Sequence, residues 1–263
     1  MPAPDHDKQP DAVSSVVKVF AILQALGEAG ATGITELAQR VGMSKSTVYR
    51  FVQTMKAQGY VSQQGETEKY RLTLKLFELG SASLQQLDLI RLADAEMREL
   101  SRLTHETIHL GALDHDSIIY IHKIDSLYNL QMYSRIGRRN PLYSTAIGKV
   151  LLAWRPRGEV TTLLSGVTFI RHTQRTLTDT DALLAVLEQV NRQGYAEDNE
   201  EQERGIRCLA VPVFDRFDRV IAGVSLSFPS LRFDQQQKAS YISMLHNAGR
   251  NLSAQLGCHH YPW

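Results

Sequence analysis

The spacing of apolar residues changes along the chain, and each change predicts an element. From Val13 the spacing is helical, through Val16, Val17, Phe20, Leu23 and Leu26, with Ala21 and Ile22 widening the stripe. Ser14 or Ser15 is placed to cap this helix, and Gly27 and Gly30 mark its end. Thr35 reads as the cap of a short helix through Glu36 to Val41, which Gly42 closes as a left-handed residue would. Ser44 caps a third helix reaching about Gln58, where Gly59 stops it. Residues 60–63 and 69–72 alternate around a Gly65 turn and predict a β-hairpin.

Helical spacing returns between Leu74 and Thr104, in two segments broken near Asp88, with Leu89, Leu92, Ala93, Met97, Leu100 and Leu103 on one stripe. A period of two then dominates. It predicts strands at 108–113, 117–123, 130–136, 208–214 and 220–228. Helices are predicted at 143–154, at 179–193 with Thr178 near the cap, and from about Asp234 to Leu256. The class is α+β: a flexible leader over 1–12, a winged helix-turn-helix over 13–73, a helical linker over 74–104, and a larger domain over 105–263.

A short helix, a tight turn, a Ser-capped helix and a hairpin are the parts of a DNA reader. In the third helix Val48, Phe51, Val52 and Met55 share a face and should pack on the first helix. The opposite face carries Lys45, Ser46, Tyr49, Arg50, Gln53 and Thr54, with Thr47 beside it. Short hydroxyl side chains let a helix N-terminus approach the major groove, and an arginine can pair with guanine. The candidate DNA contacts are Ser44, Lys45, Ser46, Thr47, Tyr49 and Arg50, with Lys69 in the wing. Over residues 35–75, seven basic residues face three acidic ones, and no acid lies between Lys45 and Lys56. Such a patch supplies the salt-dependent part of duplex DNA affinity. The alternative is a protein-interaction module in which this face is only solvated.

Composition narrows the remainder. Hydrophobic residues at 43% and charged residues at 22% exclude a disordered or collagen-like chain, and a net charge of +1 excludes a general polycation. No apolar run approaches the roughly 18–20 residues that span a bilayer. Val13 to Leu26 carries Lys18 and Gln24 behind an acidic, Pro-containing leader, unlike a signal peptide. Two cysteines, Cys208 and Cys258, give neither a disulfide framework nor a CxxC site. The expectation is a cytoplasmic protein without membrane contact. His105, His109, His115 and His122 lack ligand spacing, and Cys258-His259-His260 lies in a tail, so no metal or cofactor is expected.

Several segments together resemble the IclR family of bacterial transcription regulators. They are Ile34-Thr35-Glu36-Leu37-Ala38, Met43 through Arg50, and Tyr143-Ser144-Thr145-Ala146-Ile147-Gly148-Lys149. The most specific is Gly194, Asp198, Glu201, Cys208-Leu209-Ala210 and Val213-Phe214-Asp215 at the family's spacing. The likeness runs from about Val13 to Leu256. It implies a GAF-like or profilin-like effector-binding domain, operator DNA as partner, and homodimers or homotetramers. Longer stretches are similar to family members that repress pectin and hexuronate catabolism: 88–91, 121–126, 133–141 and 197–203. Those imply a sugar-acid effector, 2-keto-3-deoxygluconate. A regulator answering a different keto or aromatic acid, or an activator, stays open on the residues alone.

A keto-acid pocket needs N–H or hydroxyl donors at a helix N-terminus and polar groups on an apolar floor. The 144–149 segment opens a helix with small residues. By their match to family positions, Met132, Asn140, Ala146, Ile147, Asp198, Ile206, Cys208, Ser225 and Ser227 are the candidate effector contacts. The amide of Asn140 suits an extra hydroxyl, as on a six-carbon acid. Asp198, Cys208 and Ser225 also invite a nucleophilic enzyme site. Cys208 sits in an apolar strand-like run with no histidine tied to it, which favours binding over catalysis. Arg135, Arg138 and Arg139 either steer an anionic effector or pair with the acidic run 197–203. Beyond Asp198 and Glu201, that run reads as a solvated loop.

Overall fold

The computed structural model describes residues 13–263 apart from 66, 85–88, 131 and 133, with 81–84 described by their backbone only. The expected leader, the break near Asp88, and the motif residues Glu66 and Tyr133 lie outside the described residues. The chain divides into two compact units, Met1–Leu87 and Asp88–Trp263.

The first unit contains α1 (Ser14–Ala29), β1 (Thr32–Gly33), α2 (Ile34–Val41), α3 (Lys45–Ala57), β2 (Val61–Gln63), β3 (Lys69–Leu72) and α4 (Lys75–Leu84). The hairpin β2–β3 forms as expected, and β1 adds a third strand that the sequence did not signal, in the order β1-β3-β2. Leu37 and Ala38 of α2, and Val48, Val52 and Met55 of α3, close on Ile22, Ala25 and Leu26 of α1. Phe51 is only partly buried. Gly42 ends α2 at φ 63°, in the left-handed region. Ser44 caps α3, its hydroxyl accepting from Thr47 N at 3.2 Å.

Two expectations for this unit are corrected, the serine cap of α1 and Thr35 as the cap of α2. Of the α1 stripe, Val13, Val16, Val17 and Phe20 are each at least half exposed. Helix α1 is apolar on two faces, and within this unit only the face carrying Ile22, Ala25 and Leu26 is covered. No serine hydroxyl caps α1, because Ser14 is already its first helical residue. Gly33, not Thr35, precedes α2, since the short strand β1 runs straight into the helix.

The second unit contains α5 (Leu89–Thr104), β4 (Thr107–Asp114), β5 (Ser117–Ile124), β6 (Arg139–Pro141), α6 (Ala146–Ala153), α7 (Arg157–Leu164), α8 (Thr180–Gln193), β7 (Ala196–Asn199), β8 (Ile206–Phe214), β9 (Val220–Pro229) and α9 (Lys238–Gln255). Its six strands form one antiparallel sheet in the order β6-β5-β4-β9-β8-β7. Helices α5 and α9 cover one face, over Ile108, Leu110, Leu209, Val211, Val224 and Leu226. Helices α6 and α8 cover the other, over Ile118, Ala196 and Ala210. Successive strand residues point to opposite faces, so 107, 109, 198, 208, 225 and 227 all point to the α6 side.

Of the span 74–104 expected as a linker, α4 lies in the first unit and α5 packs into the second, burying Leu89, Ala93, Met97 and Leu100. The expected strand at 130–136 is not found among the described residues there. The short edge strand is β6, at 139–141, pairing with β5. Asp179, next to Thr178, caps α8, its carboxylate accepting from Ala182 N at 2.8 Å. No helix among the described residues is long and apolar enough to cross a membrane.

Glycines let α6 lie close on the sheet. Gly111 and Gly223 are paired across β4 and β9, and a Cβ on either would lie 3.0 and 3.2 Å from Ile147 Cγ2. A Cβ on Gly148 would lie 2.3 Å from the Leu142 carbonyl oxygen. The helix therefore seats Ile147 over two glycines and passes the preceding loop on a third.

Candidate functional site

Part of this row, Asp198, Cys208 and Ser225, lines a narrow cavity of about 500 Å³, counting the space open to solvent. Strand register brings it together: Asp198 pairs with Cys208, Cys208 with Ser227, and Ala210 with Ser225, which in turn pairs with His109. Of the sequence-derived candidates, Met132, Asn140, Ala146, Ile147, Asp198, Ile206, Cys208 and Ser225 line this cavity. Ser227 does not line it. It sits behind, with its Oγ 3.3 Å from His109 Nδ1.

The cavity presents unpaired polar groups. The N-cap Thr145 accepts from Gly148 N at 3.1 Å, leaving the Ala146 and Ile147 N–H groups with no acceptor among the described residues. Asn140 and Ser225 are buried, and their side chains meet no hydrogen-bond partner among the described residues. Asp198 is 2% exposed and accepts from Glu201 N at 2.7 Å and Gln202 N at 3.3 Å, both on Oδ1, so Oδ2 accepts nothing from the described residues. Burial pushes its carboxyl up to about 7, against those two backbone bonds and the nearby Lys149. Burial also pushes the Cys208 thiol and the Tyr120 phenol above their ordinary ranges. A thiol held protonated is a poor nucleophile.

Lys149 of α6 is buried, and its ammonium donates to both carboxylate oxygens of Glu201, at 2.5 and 2.6 Å, and to the Glu197 carbonyl at 2.8 Å. Glu201, set apart from the solvated reading of the acidic run, is held by this lysine; the rest of the run is only partly solvated, Glu203 being exposed. Glu197 pairs with Arg207 and with Lys238, and Glu200 with Arg175. Of the basic knot, Arg139 bonds Asp114, while Arg138 lines the cavity.

Sequence reasoning missed five lining residues as contacts: Tyr120, Ser134, Thr145, Gln202 and Glu203; Arg138, read as steering an anionic effector, also lines the cavity. Ser134, Thr145, Gln202 and Glu203 lie inside segments already singled out, and Tyr120 follows from the period of two running from Ile118. Ser134 is two residues from the candidate Met132 in the stretch expected as a strand, although no strand is found among the described residues there.

In the first unit, a second concave surface runs between the start of α3 and the wing. Lys45, Ser46, Tyr49 and Lys69 line it together. Arg50 is exposed on the same helix, one residue on. The Ser44 and Thr47 hydroxyls are 2.8 Å apart, engaged in the cap. Gln53 is drawn off the open face, donating to Tyr70 OH at 3.1 Å. Glu36 also lines this surface, but Arg40 holds it at 2.8 Å.

Two family models match the chain: the IclR helix-turn-helix domain over residues 15–65, and the bacterial transcriptional regulator IclR C-terminal domain over residues 81–254. The chain belongs to the IclR family of bacterial transcriptional regulators. It is 71% identical over 259 residues to the HTH-type transcriptional regulator KdgR of Escherichia coli (strain K12), covering 98% of each chain. It is 69% identical to the regulator of the same name in Dickeya chrysanthemi, over 98% of this chain and 85% of that one. The crystal structure of the C-terminal domain of E. coli KdgR matches 65% of this chain and 99% of its own, with a TM-score of 0.61 and 67% identity. These relatives are regulators, and this chain is a DNA-binding regulator, not an enzyme.

Proposed function

We propose that the chain is a cytoplasmic repressor of pectin and hexuronate catabolism genes that leaves its operator when 2-keto-3-deoxygluconate fills the cavity under α6. The observation that carries this reading is the cavity's polar inventory. Two N–H groups without acceptors at the start of α6 suit a carboxylate. Asn140, Ser225 and Asp198 Oδ2, all buried and unpaired toward the cavity, suit the hydroxyls of a sugar chain. A two- or three-carbon keto acid would leave most of them unmatched. The similarity to KdgR over almost the whole of both chains supports the same reading.

On this account Lys45, Ser46, Tyr49 and Arg50 enter the major groove, Ser44 and Thr47 hold the helix start against phosphate, and Lys69 meets the backbone from the wing. The exposed apolar face of α1, with Phe77 of α4, supports a homodimer or a homotetramer that reads a near-palindromic operator. Release requires that the effector bind the DNA-incompetent arrangement more tightly, and that preference sets the fold of derepression.

The test is fluorescence anisotropy of a labelled promoter fragment from a pectin-catabolism operon, titrated with protein with and without the sugar acid. A tight, salt-sensitive complex dissolved by 2-keto-3-deoxygluconate is expected. A complex that the sugar acid leaves untouched would remove the effector assignment, and no binding at low salt would remove the DNA assignment.

A further inference from the structure

Behind the cavity wall lies a histidine that the proposed effector contacts do not include. His109 is fully buried on β4, between β5 and β9. Its ring stacks on Tyr120, with centroids 4.3 Å apart and planes 20° apart, which fixes the ring plane. Its Nε2 lies 2.7 Å from Ser134 Oγ and its Nδ1 3.3 Å from Ser227 Oγ. Lys123 donates to the Ser134 carbonyl at 2.6 Å, so Ser134 is held at both its backbone and its hydroxyl. Ser134 and Tyr120 line the cavity, and Ser227 stands beside Cys208, which also lines it.

Burial, with Lys123 nearby, depresses the imidazole to about 3, so the ring is neutral at physiological pH. A neutral imidazole has one N–H and one lone pair. One of the two serines must therefore accept from the ring while the other donates to it. When Ser134 donates to the ring its lone pairs are left for the cavity, and when it accepts its O–H is left, so in both cases a hydrogen-bonding direction faces the cavity, in which Asn140 and Ser225 also stand unpaired. A hydroxyl group, which both donates and accepts, satisfies that direction in either tautomer. A methyl or methylene group satisfies it in neither, and leaves a buried polar group unmatched.

We infer that His109 is a positioning residue for effector specificity: through Ser134 it aims the cavity wall at a hydroxylated chain and disfavours keto acids without one. This rests on the sugar-acid reading above.

The experiment is a double-variant cycle on the full-length protein. Affinity for 2-keto-3-deoxygluconate and for 2-ketohexanoate, of the same carbon count without the hydroxyls, is measured by titration calorimetry. His109→Phe keeps the stacking plane and removes both bonds. Its affinity for the sugar acid should fall about tenfold, the scale of one buried hydrogen bond, and its preference over 2-ketohexanoate should fall at least fivefold. Ser134→Ala should show the same loss, and the double variant no more than either single one, because the two act as a unit. His109→Gln, with a donor and an acceptor on one amide, should recover part of it. Operator affinity without effector should not change.

Losses that multiply in the double variant, or His109→Phe binding the sugar acid within twofold of the parent, would overturn the assignment. Should His109→Phe fail to fold, Ser134→Ala and His109→Gln decide alone: unchanged preference in both overturns it. A parent protein that binds no sugar acid overturns the effector reading, and this inference with it.

Discussion

The Lys149 ammonium lies 2.5 and 2.6 Å from the two carboxylate oxygens of Glu201, with the lysine side chain only 2% exposed. This pair ties α6, whose first turn lines the cavity, to the loop whose backbone amides hold Asp198. Breaking a buried pair from one side strands a charge. Lys149→Met should therefore cost about 3–5 kcal/mol of stability. The double variant Lys149→Met, Glu201→Leu should recover most of that loss. Chemical denaturation of the three proteins checks both statements.

Gly148→Ala tests how closely α6 lies on the loop before it. The new Cβ would meet the Leu142 backbone at 2.3–2.7 Å, and backbone cannot swing aside as a side-chain tip can. The expected result is a loss of about 1–3 kcal/mol or more, the scale of overpacking, together with weaker effector binding as the Ala146 and Ile147 amides shift. Thermal melting and effector titration of the one variant measure both.

The positions that repeat regularly were legible in the sequence. Period two outlines the strands that carry Cys208, Ser225 and Ser227, the family motif singles out Asp198 although no strand was predicted there, and the Gly42 turn and Ser44 cap outline the DNA reader. What could not be read is tertiary. Periodicity shows that α1 has an apolar stripe but not which of its two faces is covered, and Val13, Val16, Val17 and Phe20 lie on the uncovered one. That Glu197 is held rather than solvated depends on Arg207 and on Lys238, 41 residues later in the chain. Ser134 shares the expected 130–136 strand with Met132, but no strand is found among the described residues there, so its contact with His109 could not be read. Nor does any local signal place Trp263 over Gly194, where an added Cβ would touch the indole at 2.4 Å.

Asp198 gives effector binding a pH dependence. Burial holds its carboxyl at about 7, above the ordinary 3.8. Below that value it is neutral and can donate to the effector; above it, a buried negative charge faces an anionic ligand. Affinity for 2-keto-3-deoxygluconate should fall as pH rises through 7, by at most about tenfold per pH unit, the limit for one linked proton. The same raised value makes the fold lose stability as pH rises from about 4, where the unfolded carboxyl ionises, through about 7, where the folded one does. Asp198→Asn should flatten both profiles, as calorimetry and denaturant titration at several pH values would show.

The recognition helix and wing should separate by sequence dependence. Arg50→Ala should lose about 1–3 kcal/mol at the operator and less on scrambled DNA. Lys69→Ala should weaken all duplexes alike and reduce the salt slope by about 1. Ser44→Ala removes the α3 cap and should cost about 1 kcal/mol of stability. Anisotropy titrations at several salt concentrations check the first two, and denaturation the third.

The central claim is that the cavity under α6 and the winged helix-turn-helix are thermodynamically coupled. Titrating 2-keto-3-deoxygluconate calorimetrically into the protein alone, and then into its operator complex, tests that claim most directly. Linkage requires that operator DNA weaken effector binding by the same factor by which the effector weakens operator binding. A matched weakening of fivefold or more is the expected result. Equal effector affinity with and without operator, or no binding heat in either titration, would contradict it.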